Sequence, residues 1–304
     1  MAYIPQIEFY KKRQFGDKLN MTFVFIRENA VPYLKMQLMI SGVILLLLNI
    51  LMNQISVGIF NFDMDNPESF DMSMLSSIFK LYGVIFLNAI VTGAIMPAVT
   101  YGYMKAYQKY PPNEIQVNHV TEALGSKIFN LVAYNILVAI TVLISMFFFL
   151  IPALYLGVVL SLGSSIIIFE DENPLDAYGR CFKLIGGKWW STFGLLVVMG
   201  ILGYVISLLF GLPRTILFGL KAFTSFEEGA PDLSGMADMS TGEQVLSIIF
   251  SVFETFGAII TYSLSFIAIA FQYFNLVERK ESRGLMSQIE GMDNEAQEAD
   301  DEVY

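Results

Sequence analysis

The sequence predicts an all-α integral membrane protein. Six transmembrane helices form three hairpins, each preceded by an amphipathic helix on the inner leaflet, with both termini cytoplasmic. Three observations predict this. Of 304 residues, 55% are hydrophobic and only 15% charged, whereas a soluble chain carries about a quarter charged residues. Mean hydropathy is +0.57, and the apolar residues gather into stretches of about 20, enough to cross a hydrocarbon layer about 30 Å thick. Finally, lysines and arginines fall almost wholly on one side of those stretches.

The first span is expected at residues 33–57, which include four consecutive leucines, and the second at 76–101, with Pro97 near its inner end. No residue from 128 to 169 is charged. A straight helix of that length would measure roughly 60 Å, twice the membrane. The chain must therefore fold back, and Leu150-Ile151-Pro152 is the expected turn, giving spans at 128–149 and 152–169. A fifth span is expected at 190–212, closed by Pro213-Arg214, and a sixth at 245–274.

Charge orients the spans. Fifteen lysines and arginines lie in the N-terminal segment, the connections 105–127 and 170–189, and the C-terminal segment. Only Lys80, Arg214 and Lys221 lie on the other side. The positive-inside rule makes the first set cytoplasmic, hence a multi-pass protein of the cytoplasmic membrane. With Lys11, Lys12, Arg13, Lys18 and Arg27 near its start, the chain offers no cleavable signal peptide, so the first span must serve as insertion signal. Residues 1–284 form the expected membrane domain and 285–304 a disordered cytoplasmic tail. From Glu290 onward that tail has seven acids and no base, a composition that cannot bury enough surface to fold.

A short segment with helical apolar spacing precedes each odd-numbered span. In the clearest, Asn173 suits the cap, Pro174 the first helical position and Asp176 the first turn. Leu175, Tyr178, Phe182, Ile185 and Trp189 then share one face. Gly186-Gly187 permits a bend before Trp189 and Trp190, which with Phe182 are the expected interfacial anchors. Before the first span Leu19, Phe23, Ile26 and Ala30 share a face, with Asp17 as cap and Pro32 as stop. Before the third, Val117, Val120, Leu124 and Ile128 do so, with Asn118 as cap. The unit of surface helix, span, span thus recurs as an internal repeat.

Within residues 173–193, Pro174, Ala177, Arg180, Phe182, Leu184, Gly187, Trp189, Trp190 and Phe193 resemble a run found in uncharacterised bacterial membrane protein families. Those families are similar to the membrane domain of glycerophosphodiester phosphodiesterases. Cys181 departs from the pattern, standing where a small hydroxyl residue is expected. The resemblance implies a six-span layout and no activity, since the phosphodiesterase site belongs to a separate soluble domain that is not expected here.

Chemistry is sparse. One cysteine, Cys181, excludes an intramolecular disulfide, and one histidine, His119, excludes any site needing two imidazoles. No expected span contains an aspartate, and no phosphate-binding loop is present. Asp63-Met64-Asp65 has metal-ligand spacing but sits in an acidic loop and reads as a solvated turn. Glu170, Asp171 and Glu172 read as solvated residues that end a span. Glu254 is the one ionisable group that could lie inside the membrane, where it would be a proton- or cation-binding carboxylate. Counted outward from Asn275, it falls at the outer interface instead. Asn49, Asn53, Asn88 and Asn135 read as packing hydrogen bonds, with Asn88 and Asn135 also candidates for a polar path. Gly93, Gly157, Gly163, Gly200 and Gly203 read as close helix contacts, and residues 213–243 as an outer loop in which Phe223 and Phe226 touch the membrane surface.

The expected function is therefore that of a non-enzymatic scaffold or accessory subunit in a membrane complex. A small-solute or lipid transporter using Glu254 is the alternative, and an enzyme acting on lipid is third. The lipid bilayer is the first expected partner, with other membrane proteins or a second copy as further ones. Neither nucleic acid nor a cofactor is expected.

Overall fold

The computed structural model describes residues 7–59, 72–125, 127–227, 240–286, 288, 289 and 292. The Asp63-Met64-Asp65 pair, residues 228–239 and the acidic tail from Glu290 (Met292 excepted) lie outside them, as do the side chains of Asn53, Phe223 and Phe226. Among the described residues there are helices and no strand. Six stretches are long and apolar enough to cross a bilayer: Phe15–Met52, Ile78–Tyr107, Lys127–Phe148, Leu150–Phe169, Trp189–Leu217 and Thr241–Glu281. The chain is a multi-pass membrane protein.

Helix α1 (Phe15–Gln37) continues through a π-turn (Leu38–Gly42) into α2 (Val43–Ile59) without a break. The expected stop at Pro32 is overturned, for Pro32 lies inside α1. An interior proline costs a hydrogen bond and about 3 kcal/mol, but Asn29, Tyr33 and Met36 on either side are buried in the bundle and hold the helix together. Asp17 is not the cap. It is the third helical residue, and its carboxylate accepts the Gln14 amide (3.0 Å) in a capping box. Nor is the buried face the apolar one. Lys18, Thr22, Phe25, Asn29, Tyr33, Met36 and Gln37 point inward, while Phe23 is exposed.

Helix α3 (Met72–Tyr107) carries Pro97 inside and runs six residues past its expected end. Helix α4 (Val117–Leu124) begins after Gln116, whose amide donates to His119 Nδ1 (3.3 Å), so Asn118 lies within the helix rather than capping it. Helices α5 (Lys127–Phe148) and α6 (Leu150–Leu160) are separated at Phe149, one residue before the expected Leu150-Ile151-Pro152 turn. Pro152 sits in the first turn of α6, where a missing N–H has no intrahelical partner to lose.

The fourth span then breaks again before α7 (Gly163–Phe169), which the sequence did not lead us to expect. Tyr134 explains how the break survives in oil. Its hydroxyl donates to the Leu160 carbonyl (2.7 Å), one of those that α6 leaves open at its end. A Cβ on Gly163 would overlap the Tyr134 ring.

Helix α8 (Pro174–Ile185) starts as expected, with Asn173 Oδ1 accepting the Leu175 and Asp176 amides, each at 3.0 Å. Helices α9 (Trp189–Glu227) and α10 (Thr241–Glu281) have 39 and 41 residues, hence roughly 60 Å each. Pro213 does not close α9, so much of the expected outer loop is helix. Here continuous packing on α10 opposes the proline. Phe210 fills the space beside Gly257 and lies 4.6 Å from the Phe253 ring, and Thr261 packs on Gly203. Gly93 is a close contact too, facing Asn135, but Gly157 and Gly200 have open space beside them and make none.

The core sits at one end of the bundle. Phe9, Phe25, Tyr33, Tyr101, Tyr103, Tyr107, Phe271 and Phe274 are buried there together. The N-terminal segment is part of it, with Phe9 packed 5.0 Å from Phe274 and 6.0 Å from Phe271. Towards the other end, Phe79, Leu209 and Ile249 stand exposed, as side chains facing lipid do.

The two glycine classes make a test. Gly163→Ala is expected to cost about 1–3 kcal/mol through overpacking against Tyr134, while Gly157→Ala and Gly200→Ala should be near neutral. Thermal melting of each variant in detergent would measure this; equal midpoints for all three would contradict the packing described.

Candidate functional site

Glu254 lies on α10 and is ion-paired. Its Oε2 accepts Arg214 Nη1 of α9 at 2.8 Å, with about a fifth of each side chain exposed. The continuation of α9 past Pro213 is what brings Arg214 there. A carboxylate held by a guanidinium is neutralised in place, which is a poor starting point for carrying a proton or cation.

The asparagines are likewise engaged. Asn135 Nδ2 donates to the Gly93 carbonyl (2.9 Å) and the Leu131 carbonyl (2.8 Å), tying α5 to α3. Asn49 Nδ2 reaches the Ser251 carbonyl and Thr255 Oγ1, both at 3.2 Å, tying α2 to α10. Asn88 accepts from Thr92 Oγ1 (2.8 Å). A further line of polar groups crosses the bundle from α1: Tyr33 and Gln37 bond Thr100, and Asn29 accepts from Tyr103. The structure does not bring Glu254, Asn88 and Asn135 into one contact.

The densest charged cluster lies elsewhere, at the end of the bundle where α7, α8 and α10 meet. Glu170 is not solvated; its side chain is 7% exposed. It accepts Arg180 Nε (2.9 Å), Arg180 Nη2 (3.1 Å) and the Tyr273 hydroxyl (2.9 Å), with Arg283 at 3.5 Å. Arg180 also bonds Glu281, which Arg283 Nε bonds in turn (2.8 Å). Burial by itself would lower the Arg180 pKa, but the hydrogen bonds it donates to Glu170 and Glu281 outweigh it and hold the guanidinium above its ordinary value. Beside it, Asp171 adopts φ 61°, a conformation aspartate tolerates better than most residues, and receives Lys105 (3.5 Å) and Lys127. The expected solvated cluster at 170–172 is thus corrected for Glu170, while Asp171, though ion-paired, keeps a side chain 59% exposed. No local pattern signals it, because the partners of Glu170 lie 10 to 113 residues away.

The run at 173–193 now has a physical reading. Arg180 is the hub of the cluster, Ala177 and Leu184 are buried, and Gly187 turns at φ 76°. Trp189 stacks between Tyr155 (5.8 Å) and Phe193 (5.1 Å), while Trp190 is 77% exposed. Leu175 and Phe182 face outward, and the packed face is Ala177, Cys181, Leu184 and Ile185. Cys181 lies 3.5 Å from the Tyr134 hydroxyl, and burial pushes its thiol up to about 12.

Two outcomes are expected. Arg180→Met leaves Glu170 buried with its best partner gone and should cost about 3 kcal/mol. Arg180→Lys should recover only part of that, because an ammonium cannot reproduce the bidentate pairing. Detergent-melt midpoints would measure both, and wild-type stability in Arg180→Met would refute the hub. Separately, maleimide should leave Cys181 unlabelled at pH 8 in the native protein, far below its pKa, and label it once the chain is unfolded; fast native labelling would refute its burial.

Comparison with known proteins gives one match. A family model described as a domain of unknown function, DUF7847, covers residues 38–265, from the π-turn to the middle of α10. No curated protein and no solved structure matches. The matched region includes Glu170, Arg180, Trp189 and the Arg214–Glu254 pair, and with most of the chain inside it, this protein belongs to the DUF7847 family.

Proposed function

We propose that the chain is a non-enzymatic integral membrane protein of the cytoplasmic membrane, a scaffold or accessory subunit of a membrane complex. It has both termini in the cytoplasm and acts as a rigid six-span body whose partners are the bilayer and other membrane proteins or a second copy. In this reading the spans form three hairpins, α8 lies along the inner leaflet anchored by Trp190 and Phe182, and the acidic tail from residue 285 is free to engage a partner. The resemblance of residues 173–193 to uncharacterised bacterial membrane families fits such a role, since it implies a layout and no activity.

One observation carries the reading. Polar side chains in the spans are spent on holding helices to one another: Asn135 on α3, Asn49 on α10, Tyr33 and Gln37 on Thr100, Glu254 on Arg214. A transporter needs polar groups that exchange partners with a passing solute, and groups already bonded within a packed bundle are badly placed to do so.

Native membranes solubilised in mild detergent and fractionated for the tagged chain provide the test. The expected result is one assembly of fixed stoichiometry, containing a second membrane protein or a further copy. A monomer with no companion would defeat the scaffold reading. In proteoliposomes with an internal pH dye, Glu254→Gln should behave as the wild type does; a proton flux in the wild type that this variant abolishes would establish transport instead.

A further inference from the structure

A second charged region lies where α8 gives way to α9 and α10 ends. Lys12, Lys188, Arg279 and Lys280 line a cavity of about 330 Å³, together with Gly186 and Leu276. No acid lines it. The neighbouring acids are already committed: Glu170 and Glu281 to Arg180 and Arg283, Glu278 to the Gly284 amide, and Glu8 to Lys11.

Two of the four cations have a local reason to be there. Arg279 and Lys280 occupy the last turn of α10, where the helix dipole favours positive charge. Lys188 has the opposite situation. It immediately precedes α9, at the positive end of a 39-residue helix, where the dipole opposes a cation and favours an anion. Neither the Lys12 nor the Lys188 ammonium has an ion-pair partner among the described residues. Lys18 adds to the excess. It is 1% exposed, its ammonium donates to Ser191 and Gln272 with no ion-pair partner among the described residues, and it is close enough to Arg279 and Lys188 to be repelled by both. Cations gathered in this way repel one another unless an anion sits among them.

Geometry narrows the anion. Arg279 is pre-set: its Nε donates to Asn275 Oδ1 and its Nη2 to the Arg13 carbonyl, both at 3.0 Å. The rest of its fork is left for a ligand. A tetrahedral phosphate has oxygens for donors arriving from several directions, which suits a guanidinium and amines on three separate segments. We propose that this cavity is a phosphate-binding site, shaped and placed to take the phosphate of an anionic phospholipid headgroup. Leu276 gives it an apolar wall, and Lys188 is followed in sequence by Trp189-Trp190, a residue type enriched at membrane–water interfaces. Basic pockets between spans at the cytoplasmic face bind headgroups in this way. The inference is independent of the scaffold reading.

The full-length protein in neutral detergent, titrated with dioctanoyl phosphatidylglycerol and followed by native mass spectrometry, provides the test. Saturable binding at one site is expected. Lys12→Gln and Lys188→Gln, both at exposed positions that leave the core untouched, should each weaken binding about fivefold. Arg27→Gln/Lys109→Gln removes two exposed charges outside the cavity and should leave binding unchanged. If inorganic phosphate competes with the lipid, the site takes soluble phosphate as well; if it does not, the headgroup is the source. Absence of saturable binding, or equal weakening in the Arg27/Lys109 control, would overturn the proposal.

Discussion

In hydrocarbon, a polar group that finds no partner inside the protein finds none at all. Nearly every feature of this bundle answers to that constraint. Serine and threonine side chains turn back onto the carbonyl four residues earlier, as Thr22, Ser41, Thr100, Ser145 and Ser251 do. Asparagines bridge to neighbouring helices, and Tyr134 caps the carbonyl at the end of α6. The constraint also reverses the usual rule for faces. Helix α1 buries Lys18, Thr22, Asn29 and Gln37 and leaves Phe23 outside, because lipid accepts a phenyl ring readily and will not accept an unpartnered amide.

That reversal decides what was legible in the sequence. The existence and number of the spans follow from apolar length against bilayer thickness, and composition fixes both. The inward face of α1 was not legible, because Leu19, Phe23, Ile26 and Ala30 mark an apolar face while nothing local says that Lys18, Thr22, Asn29 and Gln37 find partners inside the bundle. Proline was an uneven guide for a related reason. At Pro152 it falls in the first turn of a helix and the break is real; at Pro32 and Pro97 buried neighbours hold the helix, and at Pro213 the contacts of Phe210 and Arg214 with α10 do so. A proline states a local cost of about 3 kcal/mol, and only tertiary packing says whether that cost is met.

Length shows the same division between local and global causes. A charge-free stretch at 128–169 must fold back, since it is about twice the length of one crossing and has no charged residue to hold either half in water. Helices α9 and α10 are nearly as long as that stretch and run unbroken, and each carries charged residues toward one or both ends that suit water rather than lipid. The candidate sites were legible in proportion to how local they are. The Asn173 cap could be read from three consecutive residues. The pairing of Glu254 with Arg214 could not, because it depends on α9 ignoring Pro213, and the Glu170 cluster draws on residues from three helices.

The two charged regions at the tight end of the bundle differ in a way that bears on function. Around Glu170, acids and guanidiniums alternate and each is held by at least one opposite charge, so the cluster is complete in itself and serves to fasten α7, α8 and α10. A few residues away, Lys12, Lys188, Arg279 and Lys280 face a cavity with no acid, and one of them opposes the dipole of the helix it precedes. Had the excess served stability alone, an acid in the lining would serve better. Cations kept apart from acids at the mouth of a membrane bundle hold their charge in reserve for something outside the chain. The nearest abundant anion at that depth is the phosphate of the bilayer in which the protein sits.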